Sequence, residues 1–276
     1  MKLTNEGLQA KEIWQQKGYS LPTFDRQAML KETEQNPTWV HFGAGNIFRV
    51  FPAALQQQLL NQKLTKTGII VGEGFDYEII DKVYDKHDNL TLMVTLKSDG
   101  SIEKEVIASV AYAYKCDPQF AKEWEFFMQT FRKPSLQMAS FTITEKGYSL
   151  RGGNGEFYPA MVADLANGPK KSTMFLSKLT SLVYERYLAK AGKLSLVSMD
   201  NCSHNGQKLQ DAIMTIAHAW VENGHAEPGF VTYLKEEVTF PWSMIDKITP
   251  RPDAKVEAML KAEGLDRKST RLNSSH

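Results

Sequence analysis

The chain has 276 residues, 42% of them hydrophobic, enough for one large core or two smaller ones. Its 33 Lys and Arg nearly cancel its 32 Asp and Glu, which excludes a basic field for nucleic acid and an acidic tail for a basic partner. The opening MKLTNEGLQAKEIWQQ has neither an apolar core nor a small-residue cleavage site, and no apolar run approaches a membrane span of about eighteen residues, so a cytoplasmic chain without membrane contact is expected.

In chain order, apolar spacing predicts helices over Asn5 to Lys17 and Asp25 to Glu34, separated by GYSLP. TWVHFG reads as a short buried strand, FPAALQQQLLNQ as an amphipathic helix and GIIVGEG as a second apolar strand, together a βαβ unit. A short helix around Tyr77 to Tyr84 precedes LTLMVTLKSDGSIEKEVIASV, which alternates on both sides of Asp99-Gly100 and predicts a β-hairpin insertion. A helix from about Pro118 to Phe131, a strand QMASFTIT, a helix from Ser172 to Ala189, a strand LSLVSM and a helix from Gly206 to Glu222 restore the alternation. That order implies an α/β fold, a mostly parallel sheet with helices on both faces.

The sharpest chemical signal is Gly43-Ala44-Gly45 between strand and helix, where absent side chains let backbone amides approach a pyrophosphate. The third glycine of G-x-G-x-x-G is missing, Phe48 standing there, so a tight packing turn is the competing reading. Context favours the nucleotide: the next strand ends in Glu73, with Asp76 just beyond. A carboxylate there accepts ribose hydroxyls and repels a 2′-phosphate, which favours NAD over NADP. Asn46 opens the following helix, and Arg49, one turn in, faces either the pyrophosphate or solvent in a surface salt bridge.

Two more strand ends carry polar clusters: Thr144, Glu145 and Lys146 in TITEKGY, and Asp200, Asn201, His204 and Asn205 in SMDNCSHNG. Ligands of open parallel sheets bind beyond the carboxyl ends of strands, so both clusters fall on the rim of the glycine turn. In the plainer reading Asn205 caps the next helix and Lys146 is a solvated turn residue. Cys116 and Cys202 lie outside any C-x-x-C pattern and are expected as reduced thiols, and Cys202 with His204 offers too few ligands for a metal.

HFGAGNIFRVF, SFTITEKGY, SMDNCSHNG and VTFPWSMIDKITP, spread over Trp39 to Pro250, resemble the long-chain polyol and hexonate dehydrogenases, the mannitol dehydrogenase family, most nearly its fructuronate reductase branch. The chain departs from that pattern at Lys247, Met199 and Phe48, where many members have Arg, Cys and His. The resemblance implies a Rossmann-like domain and NAD-linked hydride transfer to or from an open-chain sugar acid or polyol. It makes Asn201 a donor to the developing oxyanion and puts Asp246 near substrate. It also implies a second Asn and a general-acid Lys from a C-terminal helical domain.

Lys268, Asn273 and His276 match the spacing of that domain's K-x4-N-x2-H motif, but they follow the ITP segment almost at once. Asp266 to His276 also reads, residue for residue, as the translation of a common sequencing-adapter oligonucleotide, the more economical source. The expected organisation is therefore an N-terminal helical extension (1–38), an NAD-binding domain (39–250), the start of a truncated helical domain (251–265) and an adapter-derived tail (266–276), a fragment without turnover. Tagaturonate reductase, mannitol 2-dehydrogenase and a non-catalytic NAD-binding module are the alternatives; the oligomeric state is open, a monomer being favoured.

Overall fold

The computed structural model describes residues 1–246, 254–265 and 273–275; Lys247, Lys268 and His276 lie outside the described residues. The chain opens with α1 (Lys11–Gln16), β1 (Tyr19–Ser20), α2 (Arg26–Gln35), β2 (Trp39–Phe42), α3 (Asn46–Val50), α4 (Pro52–Asn61) and β3 (Ile69–Glu73). After a π-helical turn (Ile80–Tyr84) come β4 (Thr91–Leu96), β5 (Ile102–Ile107), β6 (Val110–Lys115), α5 (Ala121–Phe131), β7 (Met138–Phe141), α6 (Pro159–Asn167), α7 (Phe175–Leu188), β8 (Leu194–Ser198) and α8 (Asn205–Glu222). The last elements are α9 (Gly229–Glu236), β9 (Val238–Thr239), α10 (Ala254–Ala262) and β10 (Asn273–Ser275). The chain divides into two compact units, one of residues 1–35, 44–114 and 247–276, the other of residues 36–43 and 115–246.

In the second unit β2, β7, β8 and β9 pair in that order, all parallel, with Phe42 opposite Phe141 and Phe141 opposite Ser198. Three of the four residues in each of β2 and β7 are buried, the near-continuous burial of a strand covered on both faces. Phe42 stacks on Phe141 at 5.5 Å between ring centroids and meets Phe127, Phe131 and Phe175 from α5 and α7. The loops at the opposite end are held by one side chain. The fully buried Arg186 donates to the carbonyls of Phe131, Lys133, Leu136, Ala191, Gly192 and Lys193, so polar backbone that water cannot reach is satisfied from a single guanidinium. Because the strands are parallel and in register, the residues following Phe141 and Ser198 emerge side by side.

In the first unit β4 and β5 form the expected antiparallel hairpin, Thr91 opposite Ile107 and Leu96 opposite Ile102. Gly100 supplies a φ of +83° at its turn, and Asp99 Oδ1 accepts the Ser101 amide at 2.8 Å. β1 adds to β5 and Asn273–Ser275 to β4, both parallel. Behind this sheet lies a core of Leu3, Trp14, Tyr19, Leu92, Val94, Val106 and Leu260. The first expected helix is shorter than its apolar spacing suggests: Gly7–Gln9 makes a 3₁₀ turn, and the Trp14 indole N–H turns back to the Gly7 carbonyl at 2.9 Å.

Candidate functional site

The glycine turn rests on two glycines with different physical roles. Gly43 has φ +110°, and a Cβ there would stand 2.3 Å from the Thr142 carbonyl oxygen at the end of β7, so the backbone itself requires glycine. Gly45 has an ordinary φ of −74°, and a Cβ there would meet no protein atom within 4 Å. Among the described residues nothing uses the space beside Gly45, which is the arrangement a group needing close approach to the backbone requires. Gly45 stands at the N-cap of α3 with no side chain capping the first amides.

Around this turn the first unit gathers Asn46, Arg49, Glu73 and Tyr84. Glu73 is buried, and its carboxylate is already engaged: Oε2 accepts the Ala44 amide at 2.8 Å, and Oε1 accepts the amides of Phe75 and Asp76 at 2.8 and 3.2 Å. It is a brace joining the glycine turn to the turn after β3, a role that its position at a strand end did not reveal. Asp76 is exposed, and its carboxylate has no partner among the described residues. Arg49 is fully buried and donates to Asn46 Oδ1, which removes the surface salt bridge considered from sequence. Tyr84 donates to the Ala44 carbonyl at 3.0 Å; burial pushes its hydroxyl pKa up, opposed by the Arg49 charge and reinforced by Glu73.

The second unit gathers the residues after β7 and β8. Thr144, Glu145, Lys146, Asn201 and Asp246 are all exposed, and Glu145 forms an ion pair with Lys208 at the start of α8. Asn201 is held by its neighbours rather than by its own side chain. The Asp200 carbonyl accepts the Cys202 amide at 2.9 Å and the Asn205 amide nitrogen Nδ2 at 3.0 Å, while the Asn201 carboxamide makes no hydrogen bond among the described residues. A fixed backbone carrying an uncommitted donor is what stabilising a developing oxyanion asks for. Asn205 does more than begin a helix: buried, it also donates to the Ser243 carbonyl at 2.9 Å and accepts the Ser243 amide at 3.1 Å, tying the Asp200 turn to the segment that leads to Asp246. Gly206 beside it would put a Cβ 2.6 Å from the Phe240 and Pro241 carbonyl oxygens.

Cys116 and Cys202 are free thiols, and burial raises the Cys202 pKa, which argues against a reactive thiolate. No cluster of metal-ligating side chains occurs among the described residues, and no described helix is long and apolar enough to cross a membrane.

The Mannitol dehydrogenase Rossmann domain model matches residues 37–263. The chain belongs to the mannitol dehydrogenase family. It is 45% identical over 266 residues to the D-mannonate oxidoreductase of Thermotoga maritima, covering 96% of this chain and 49% of that protein. It is 29% identical to the polyol:NADP oxidoreductase of Gluconobacter oxydans, covering 83% of this chain and 46% of the relative. The chain thus spans about half the length of the curated relatives it matches. The mannitol 2-dehydrogenase of Pseudomonas fluorescens, solved as a ternary complex with NAD and D-mannitol, superposes with a TM-score of 0.80 at 23% identity, over 99% of this chain and 53% of the other. A substrate-free D-sorbitol dehydrogenase superposes with a TM-score of 0.76 at 24% identity, over 94% of this chain and 51% of the other. These likenesses establish the Rossmann-like α/β fold, with its mostly parallel sheet.

Proposed function

We propose that this chain is the cofactor-binding part of an NAD-dependent oxidoreductase that interconverts D-fructuronate and D-mannonate. The observation that carries the substrate is the 45% identity across 96% of the chain to a D-mannonate oxidoreductase. The cofactor reading is supported by the open space at Gly45.

Bound NADH supplies a hydride to the ketone carbon. The protein's part is orientation and charge. Gly45, Asn46 and the uncapped amides of α3 receive the pyrophosphate, and Gly43 leaves room for the Thr142 carbonyl. Buried Arg49 adds positive charge near that turn. Asp76 accepts a ribose hydroxyl, and Glu73 adds a fixed negative charge against a 2′-phosphate while bracing the loop. Thr144, Glu145 and Lys146 line the nicotinamide end of the cofactor. The Asn201 carboxamide donates to the substrate oxygen as it becomes negative, and Asp246 orients a sugar hydroxyl. The proton is supplied by the general-acid Lys that the family resemblance implies.

The test combines binding and turnover on the purified chain. NADH is expected to bind, and D-fructuronate reduction to run about 10²–10⁴-fold below that of the Thermotoga relative, because general acid–base catalysis contributes on that order. The residual rate is highest with D-fructuronate among D-fructuronate, D-tagaturonate and D-fructose. Turnover equal to the relative's overturns the two-part reading, and a higher rate on another ketone overturns the substrate.

A further inference from the structure

The turn after β7 contains a conformation that its sequence does not favour. Thr144 has φ 64° and ψ 160°, a region of backbone space essentially reserved for glycine. Thr144 is exposed, so no burial of its side chain rewards the strain. What holds it is a carboxylate from the neighbouring strand end. Asp200 Oδ1 accepts the Thr144 amide at 2.9 Å, and Oδ2 accepts the Ile143 amide at 3.0 Å and the Tyr148 hydroxyl at 2.5 Å. Tyr148 is itself buried and lies 2.7 Å from Ser198 Oγ at the end of β8. Asp200 is gripped from its other side through its own carbonyl, by the Cys202 amide and Asn205. One side chain therefore fixes two strand ends against each other, immediately before Asn201.

We propose that Asp200 is a positioning residue, which holds Thr144 in this strained backbone so that the turn after β7 and the Asn201 carboxamide are presented in one fixed arrangement to the nicotinamide end of the cofactor. The proposal rests on the functional reading above. A fold that needed only to close this turn would place glycine at 144 and dispense with a three-way carboxylate acceptor. Strain survives where its surroundings impose it, and a hydrogen-bonded support sets the geometry of a neighbouring donor.

The role makes stability and binding move in opposite directions in one variant, which a merely structural role would not. Thr144→Gly relieves the strain and raises the melting temperature by on the order of 2 °C. The same change lets the turn wander, so NADH binds at least about threefold more weakly, with less enhancement of its nicotinamide fluorescence. Asp200→Asn keeps one acceptor oxygen but turns amide hydrogens toward one of the two backbone N–H groups, which then lacks an acceptor; it lowers the melting temperature and weakens NADH at least about tenfold. ADP-ribose, which lacks the nicotinamide, binds the unsubstituted chain and both variants alike. If Thr144→Gly leaves NADH affinity and fluorescence at the original values, or if ADP-ribose weakens in parallel with NADH, the positioning role is wrong. If the unsubstituted chain binds no NADH, the functional reading itself falls and the role with it. Failure of Asp200→Asn to fold leaves the decision with Thr144→Gly.

Discussion

His41 makes acid a specific probe of this fold. It lies on β2 just before the glycine turn, fully buried, with Nδ1 2.7 Å from Ser140 Oγ and Nε2 2.9 Å from Thr142 Oγ1. Burial holds the imidazole neutral and brings its pKa down to about 3, only partly offset by the backbone hydrogen bond with Gly43. The unfolded imidazole takes up a proton near its ordinary value of about 6.5, which the folded one refuses. Below that value the unfolded chain therefore binds more protons, so His41's contribution is complete above pH 6.5 and is lost as pH falls toward 3. At about 1.4 kcal/mol per pH unit, the loss between pH 7 and pH 5 is about 2 kcal/mol. Urea unfolding of the chain and of His41→Gln at both pH values isolates the effect, because carboxylate titration is common to the two proteins. His41→Gln is less stable at pH 7, and the gap narrows by about 2 kcal/mol at pH 5. A gap that stays constant between the two pH values refutes the argument.

Three substitutions separate architecture from binding. Gly43→Ala costs about 2–4 kcal/mol in urea unfolding, since the new methyl meets the Thr142 carbonyl and the residue sits at φ +110°. Gly45→Ala, with open space around its Cβ, changes stability by less than about 1 kcal/mol yet weakens NADH by about tenfold or more in a fluorescence titration. Arg186→Met strands six loop carbonyls and costs about 3–5 kcal/mol, read as a fall in the urea midpoint.

What could be read in advance followed from how local its physical cause was. The hairpin at Asp99-Gly100 was legible because turn chemistry and alternation are local, the core strand WVHF because near-continuous burial writes itself as an apolar run, and LSLVS because buried Leu194 and Leu196 alternate with half-buried residues. The two-residue strands Tyr19–Ser20 and Val238–Thr239 were not, since their pairing is decided by partners more than forty positions away. Helix α6 was hidden because its value is remote: buried Asp164 accepts the amides of Thr173 and Met174 and so caps α7 from outside it. Site residues divide the same way. Asn201 and the glycines announce themselves by type and place, whereas the reach of Glu73 back to the Ala44 amide and the grip of Asp200 on the Thr144 backbone join carboxylates to amides far along the chain. Arg49 followed a strand end by only a few residues and could be read as surface; its complete burial depends on tertiary packing that helical periodicity does not express.

The most direct test of the central claim, that the Gly43–Gly45 turn with Glu73 and Asp76 holds a dinucleotide lacking a 2′-phosphate, is a paired titration of the chain with NADH and NADPH. The account predicts saturable NADH binding and NADPH at least about tenfold weaker, with Asp76→Ala narrowing that difference. Absence of NADH binding, or equal affinity for the two, would contradict it.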